Sequence, residues 1–157
     1  MFLARFAWVL VPFVWLAAGC TDNQAPDEAR ALWERIQAED YRQFARAPGY
    51  ETTQPSFAPH GDSVDVFVND VVQTVLEAGE IIESWPVGSL IVKDGFNAQG
   101  ELELIAVMEK QETGWFYAEW LDLESGDASY SGQPGACVNC YASGADSVRT
   151  FGFPTGD

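Results

Sequence analysis

The chain has 157 residues, the length of a single domain, and hydrophobic residues make up 47% of it, which is typical of a folded globular protein. Its 24 acidic and 8 basic residues give a formal net charge of −16, which disfavours binding to nucleic acid. A single histidine, His60, excludes a metal site built from several imidazoles.

Residues 1–19 are predicted to be a lipoprotein signal peptide. One early positive charge, Arg5, precedes a short apolar run over 6–16, and small residues lead up to Cys20. The arrangement resembles a bacterial lipobox, in which the cysteine receives the lipid and becomes the new N-terminus. The alternative is a secreted protein that is cut near Ala18, with Cys20 incidental.

A lipidated Cys20 would attach the domain to a membrane and leave it in the bacterial periplasm. Thr21 follows the cysteine where inner-membrane lipoproteins of enteric-type bacteria have aspartate, so we expect an anchor in the outer membrane. The periplasm is an oxidising compartment, in which cysteine pairs can form disulfides. Residues 20–25 are predicted to be a short polar tether, and residues 26–157 to be the domain.

The domain is predicted to have an α+β fold, with an antiparallel sheet of four to five strands, an N-terminal helix and a C-terminal CxxC segment. Pro26 begins the first helix, whose apolar face continues to about Arg46. Pro and Gly residues predict a loop over 47–62. The remaining predicted elements are a strand at 64–68, a helix at 69–78, and strands at 88–93, 101–109 and 114–123, of which the last two form a hairpin.

Cys137 and Cys140 form a CxxC motif, which is the motif of the chain that bears most directly on function. Half of a zinc site is disfavoured, because the chain has no second cysteine pair. A redox-active disulfide lacks the expected strand–helix context, whereas an inert disulfide and haem c attachment both stay open. Haem attachment uses Cys-x-x-Cys-His, in which the thiols bind the haem and the histidine binds iron. Here Tyr141 occupies the place of that histidine.

Seven stretches between residues 30 and 154 together resemble the cytochrome P-460 family of bacterial mono-haem proteins, to which cytochrome c′-beta is related. They are residues 59–61, 66–70, 85–93, 106–110, 114–117, 137–140 and 146–151. The resemblance implies a curved antiparallel sheet with helices that hold one haem c. It also implies hydroxylamine oxidation or the binding of small ligands such as nitric oxide, and a homodimer.

The same resemblance assigns roles to individual residues. Cys137 and Cys140 match the cysteines that form thioethers with haem c. Lys93 matches the lysine that bonds to the porphyrin rim in hydroxylamine-oxidising members of the family. Tyr141 stands where the family has its iron-ligating histidine, and tyrosinate ligates haem iron in catalase, so it is a candidate ligand.

Each of these candidates also has a purely structural interpretation. Lys93 is then a solvated group at a strand end, and His60 is a solvent-facing loop residue rather than a distal base or substitute iron ligand. Tyr141 would need iron or a nearby cation such as Arg149 to become a tyrosinate. The aromatic residues within 115–120 are either core or the wall of a ligand pocket.

Two functions follow from the sequence. The first is a periplasm-facing lipoprotein with a cytochrome P-460-like domain, a mono-haem protein of redox or nitrogen-oxide chemistry with altered axial ligation. The alternative is a haem-free binding or interaction module that keeps the fold and closes a Cys137–Cys140 disulfide. Enzymatic activity is left open, with Lys93 as the candidate catalytic residue, because the haem-ligating histidine is absent.

Overall fold

A computed structural model describes residues 22–56 and 59–155 of the chain. The predicted signal peptide and Cys20 lie outside these residues. The elements, in chain order, are α1 (Pro26–Ala38), a 3-10 turn (Tyr41–Gln43), β1 (Ala45–Arg46), β2 (Gln54–Pro55), β3 (Ser63–Val68), α2 (Asp70–Ala78), β4 (Leu90–Phe96), β5 (Leu102–Gln111), β6 (Gly114–Trp120), β7 (Tyr130–Gly132) and α3 (Gly135–Tyr141).

The described residues form an open antiparallel sheet of seven strands with three helices, which confirms the α+β class and the N-terminal helix. The strand order is β1-β3-β4-β5-β6-β7, and β2 also pairs with β3. The predicted number of four to five strands was too low. The missed strands β1, β2 and β7 have only two or three residues each, too few for an alternating pattern, and they are defined by pairing with β3 and β6.

The first helix is shorter than predicted, because it ends at Ala38 instead of continuing to Arg46. Asp40 takes a left-handed backbone conformation (φ 47°), which interrupts the helical path. The chain then forms the 3-10 turn and β1. By contrast, α2 lies where it was predicted: the side chain of Asn69 caps its first turn and Gly79 ends it in a left-handed conformation.

The sheet has a hydrophobic core on each face. On one face, α1 packs against the sheet through Ala29, Leu32 and Ile36. On the other face, α2, α3 and the C-terminal segment cover a second core. The chain before α1 is also fixed to the sheet, since Asn23 bridges to Ser131 in β7. Within the described part of the chain, no helix combines the length and the hydropathy needed to span a bilayer.

Strand β4 continues to Phe96, beyond its predicted end at Lys93. Its extension carries Gly95, where a side chain could not be accommodated: a Cβ atom there would lie 2.5 Å from the carbonyl oxygen of His60. Glycine therefore allows the loop that bears His60 to lie directly against the sheet. This close approach brings the one histidine of the chain to the face covered by α3.

Candidate binding site

The register of three central strands aligns the residues at the centre of the site. Lys93 of β4 pairs with Ala106 of β5, and Ala106 pairs with Glu119 of β6. Residues paired in this way point to the same face, with strands about 4.8 Å apart. The small side chain of Ala106 between two long ones leaves an enclosed cavity of about 20 Å³, which Tyr141 also lines.

Lys93 is a partly buried group on a central strand, so the interpretation as a solvated strand-end residue was wrong. Its Nζ donates a hydrogen bond to the Tyr141 hydroxyl oxygen (3.0 Å). Burial lowers the pKa of Lys93 to about 8, because desolvation disfavours the ammonium ion, and Arg149 acts in the same direction. Coulombic interactions with Tyr50, Cys140 and Glu119 raise the pKa of Lys93 but do not cancel this shift.

Tyr141 fills the space beneath helix α3. Its ring stacks on Tyr117 with centroids 5.4 Å apart and only 6% of the residue is exposed. Burial raises the pKa of the phenol well above its usual value, and coulombic interactions with Cys140 and Cys137 raise it further. The group is thus a neutral phenol at physiological pH. Arg149, expected to help ionise it, instead donates a hydrogen bond to the carbonyl oxygen of Cys140 (2.8 Å).

The two cysteines of the CxxC motif lie one helical turn apart on α3, and both are free thiols. Cys137 is half-buried and lines the enclosed cavity, whereas Cys140 is exposed. Burial raises the pKa of the Cys137 thiol to about 11, with smaller contributions from Glu119 and Cys140. Cys137 is therefore a protonated, weakly nucleophilic thiol at neutral pH.

His60 is also partly buried, with 12% of its side chain exposed, so the expectation of a solvent-facing loop histidine was wrong. Its Nδ1 lies 3.0 Å from Oε2 of Glu119, an ion-pair distance that lacks the alignment of a hydrogen bond. The imidazole borders the enclosed cavity and two larger spaces beside it. His60 and Tyr141 both border all three spaces.

The larger of these two spaces is a cleft of about 390 Å³ between α3, β4 and the loop that precedes β3. This cleft, called the Lys93 cleft below, is lined by Lys93, Arg149, Tyr141 and the hydroxyl-bearing residues Tyr50, Ser56 and Thr150, among others. None of its lining residues is a carboxylate. The smaller space, of about 140 Å³, lies on the other side of His60 beside Cys137 and Glu119.

Lys93 and Arg149 differ from the other basic residues that the structure describes. The other five all form ion pairs with carboxylates: Arg30 with Asp127, Arg35 with Glu109, Arg42 with Asp94, Arg46 with Asp65, and Lys110 with Asp146. Lys93 and Arg149 form hydrogen bonds to a phenol and a carbonyl oxygen instead. Both unneutralised cations therefore line one cleft in a strongly acidic protein.

The residues at the site do not fit a haem in the manner of the cytochrome P-460 resemblance. The two free thiols suit thioether formation, but the position of the iron ligand holds a neutral phenol that is packed on Tyr117 and bonded to Lys93. The enclosed space between Lys93 and Tyr141 has room for about one water molecule. No group of three or more His, Cys, Asp or Glu side chains within 22–56 and 59–155 is arranged to hold a metal ion.

Three residues of the site were missed from the sequence: Ala106, Glu119 and Tyr50. The first two carry a signal that could have been used, because the predicted β5–β6 hairpin pairs Ala106 with Glu119 once its turn is centred on residues 112 and 113. Tyr50 carries no such sequence signal, since it lies in a loop whose position depends on tertiary contacts. One of these is the hydrogen bond from its hydroxyl to the carbonyl oxygen of Thr150 (3.0 Å).

Comparison of the chain with models of protein families finds no match, and comparison with curated protein sequences finds none either. The resemblance to cytochrome P-460 accordingly stays a prediction from the sequence. The function is therefore inferred from the geometry and charge of the site itself.

Proposed function

We propose that the protein is a periplasm-facing lipoprotein whose cytochrome P-460-like domain works without haem and binds a small anion in the Lys93 cleft. One observation carries the proposal: Lys93 and Arg149 are the two described Lys or Arg side chains that have no carboxylate partner, and they line the same carboxylate-free cleft. Partly desolvated cations without a partner are the groups that an anionic ligand neutralises.

The size and the lining of the cleft set limits on the ligand. About 390 Å³ lies near the lower end of the range for small-molecule sites, so we expect a small ligand. Ser56 and Thr150 supply hydroxyl groups that can orient a polar ligand. The net charge of −16 repels anions at long range, so affinity has to arise from direct contacts with Lys93 and Arg149.

The lipid anchor is part of the proposal and depends on Cys20. Asp22, two residues later, is fixed to the sheet, because its carbonyl oxygen accepts a hydrogen bond from the Ser131 amide of β7 (3.0 Å). Two residues span at most about 7 Å, so an anchor at Cys20 holds the β7 edge of the sheet close to the membrane. Replacing Cys20→Ser should move the protein from the membrane fraction to the soluble fraction. Retention in the membrane fraction would refute the anchor.

Anion binding is tested by calorimetric titration of the purified protein with lactate, a small carboxylate. Lys93→Met should weaken binding by about tenfold or more, because a charge-assisted hydrogen bond contributes about 1.5–3 kcal/mol. The matched control is Lys110→Met, since Lys110 is ion-paired to Asp146 outside the cleft. Equal affinities for the wild type and Lys93→Met would overturn the proposal.

The mono-haem function that the resemblance implies is tested in the same protein. The chain is made in a host that attaches haem c, and its absorption spectrum is recorded together with that of Tyr141→His, which restores the Cys-x-x-Cys-His motif. We expect the wild type to be colourless and the variant to gain covalent haem. A wild type that retains haem through denaturing electrophoresis would replace the anion-binding proposal with the redox or nitrogen-oxide one.

A further inference from the structure

The chain has only two lysines, Lys93 and Lys110, and they lie in opposite settings on the same face of the sheet. Lys110 is ion-paired: its Nζ lies 2.9 Å from both carboxylate oxygens of Asp146 and 5.5 Å from the centre of the Trp115 ring. Lys93 has no carboxylate partner and contacts the Tyr141 hydroxyl at 3.0 Å. It also lines the Lys93 cleft.

The surroundings of Lys93 favour the free amine. An amine whose pKa is about 8 is neutral in about a tenth of the molecules at pH 7, whereas an ordinary lysine is neutral in less than about a thousandth. The ionisable groups around it are Tyr50, Tyr141, Cys140, Glu119, His60 and Arg149. A desolvated lysine next to a second cation is the arrangement that activates an amine as a nucleophile.

We propose that Lys93 forms an imine with a small 2-oxo acid, whose carboxylate is held by Arg149 in the Lys93 cleft. This inference rests on the proposed anion-binding function and adds the chemical class of the ligand. A carbonyl group beside a carboxylate matches a cleft that is lined by one amine and one guanidinium. Tyr141, which is a full phenol and in contact with Nζ, is the proton donor.

The reaction is a condensation that needs neither an oxidant nor a reductant. The lone pair of the neutral Lys93 amine forms a bond to the carbonyl carbon, and the carbonyl π electrons move to the oxygen. Tyr141 gives its proton to that oxygen, and the nitrogen returns a proton to the phenolate, which yields a carbinolamine. The carbon–oxygen bond then breaks with a second proton transfer through Tyr141, so that water leaves and the carbon–nitrogen double bond forms.

The experiment traps the imine in the full-length protein with pyruvate and cyanoborohydride, followed by mapping of the labelled peptides. Reduction converts the imine into a stable secondary amine on the lysine that formed it. At pH 7 we expect the Lys93 peptide to be labelled at least about tenfold faster than the Lys110 peptide, because of the difference in free amine. Lys110 is the internal control in the wild-type chain, so this result requires no variant to fold. Equal labelling of the two lysines would overturn the inference.

A second set of measurements tests the role of Arg149. Arg149→Gln should slow labelling by pyruvate about tenfold more than labelling by acetaldehyde, which has no carboxylate, because the loss of the Arg149 effect on the pKa of Lys93 slows both reactions alike. Equal slowing with both compounds, or with neither, would refute the carboxylate contact.

The failure of the imine and the failure of the anion site give different results. Lactate has the carboxylate of pyruvate but no carbonyl group, so it reports on the cleft alone. Lactate binding without labelling of Lys93 would overturn the imine and leave the anion-binding function intact. Absence of both would overturn the anion-binding function and the inference together.

Discussion

Lys93 and Asp94 are neighbours on β4, but their charged groups lie on opposite faces of the sheet and in different electrostatic settings. Asp94 is 2% exposed and is fully satisfied, since it accepts hydrogen bonds from the Tyr41 hydroxyl (2.5 Å) and from Nε of Arg42 (2.7 Å). Lys93 has a phenol as its hydrogen-bond partner and borders open space. The buried charge on the face with α1 is therefore paired, whereas Lys93 on the face with α3 has no carboxylate partner.

The largest expected effect on stability comes from removing the Asp94 carboxylate on the face with α1. Asp94→Ala leaves the Tyr41 hydroxyl and the Arg42 guanidinium without their acceptor, and it should lower the free energy of unfolding by about 3 kcal/mol. Urea denaturation followed by circular dichroism measures the change. The control is Asp127→Ala, which removes an exposed ion pair with Arg30 and should change stability by less than about 1 kcal/mol. Similar losses in the two variants would contradict the difference between the faces.

The second effect is a gain in stability in Lys93→Met, and its size depends on pH. At pH 7 the folded state holds Lys93 partly desolvated, so Lys93→Met should be more stable than the wild type. The folded pKa of about 8 lies below that of an unfolded lysine, so the unfolded chain binds more protons between these values and the stability of the wild type rises with pH. The advantage of the variant should therefore shrink by about 2 kcal/mol between about pH 7 and about pH 10.

Urea denaturation of both proteins across this range measures the difference. Comparison of the two removes the titration of other groups, such as Cys137, whose raised pKa makes stability fall with pH in both proteins. A constant difference between the two proteins would show that Lys93 is not desolvated in the folded state.

Both effects depend on structural features, some of which can be predicted from the sequence and some of which cannot. Alternation along 101–109 and the aromatic-rich stretch 114–123 predicted the β5–β6 hairpin, although its second strand ends at Trp120. The capping residues Asn69 and Gly79 predicted α2, because these signals are local. The burial of Lys93 and His60 could not be predicted in this way. Lysine and histidine are usually exposed, but segments distant in sequence cover both of these residues. Tyr141 of α3 contacts Lys93, and His60 lies against Gly95 of β4.

A smaller effect should follow from removing the phenol that contacts Lys93. Tyr141→Phe keeps the ring stacked on Tyr117 and deletes the acceptor of the Lys93 hydrogen bond, so the free energy of unfolding should fall by about 1 kcal/mol. The same substitution made in Lys93→Met should have less effect, because no donor is left there. A double-mutant cycle measures this coupling directly, and a coupling energy of zero would mean that the hydrogen bond contributes nothing.

The smallest effect on stability is expected on the open side of the cleft, at Arg149. Arg149 is exposed, and its hydrogen bond goes to a backbone carbonyl of α3, so Arg149→Gln should change the free energy of unfolding by at most about 0.5 kcal/mol. Its affinity for lactate should nevertheless fall about tenfold, since the guanidinium is one of the two cations that face the ligand. The matched control is Arg35→Gln, which removes an exposed cation that pairs with Glu109 on the other face of the sheet. That variant carries the same change in net charge, so equal losses of lactate affinity in both would attribute binding to the overall field of the protein instead of the Lys93 cleft.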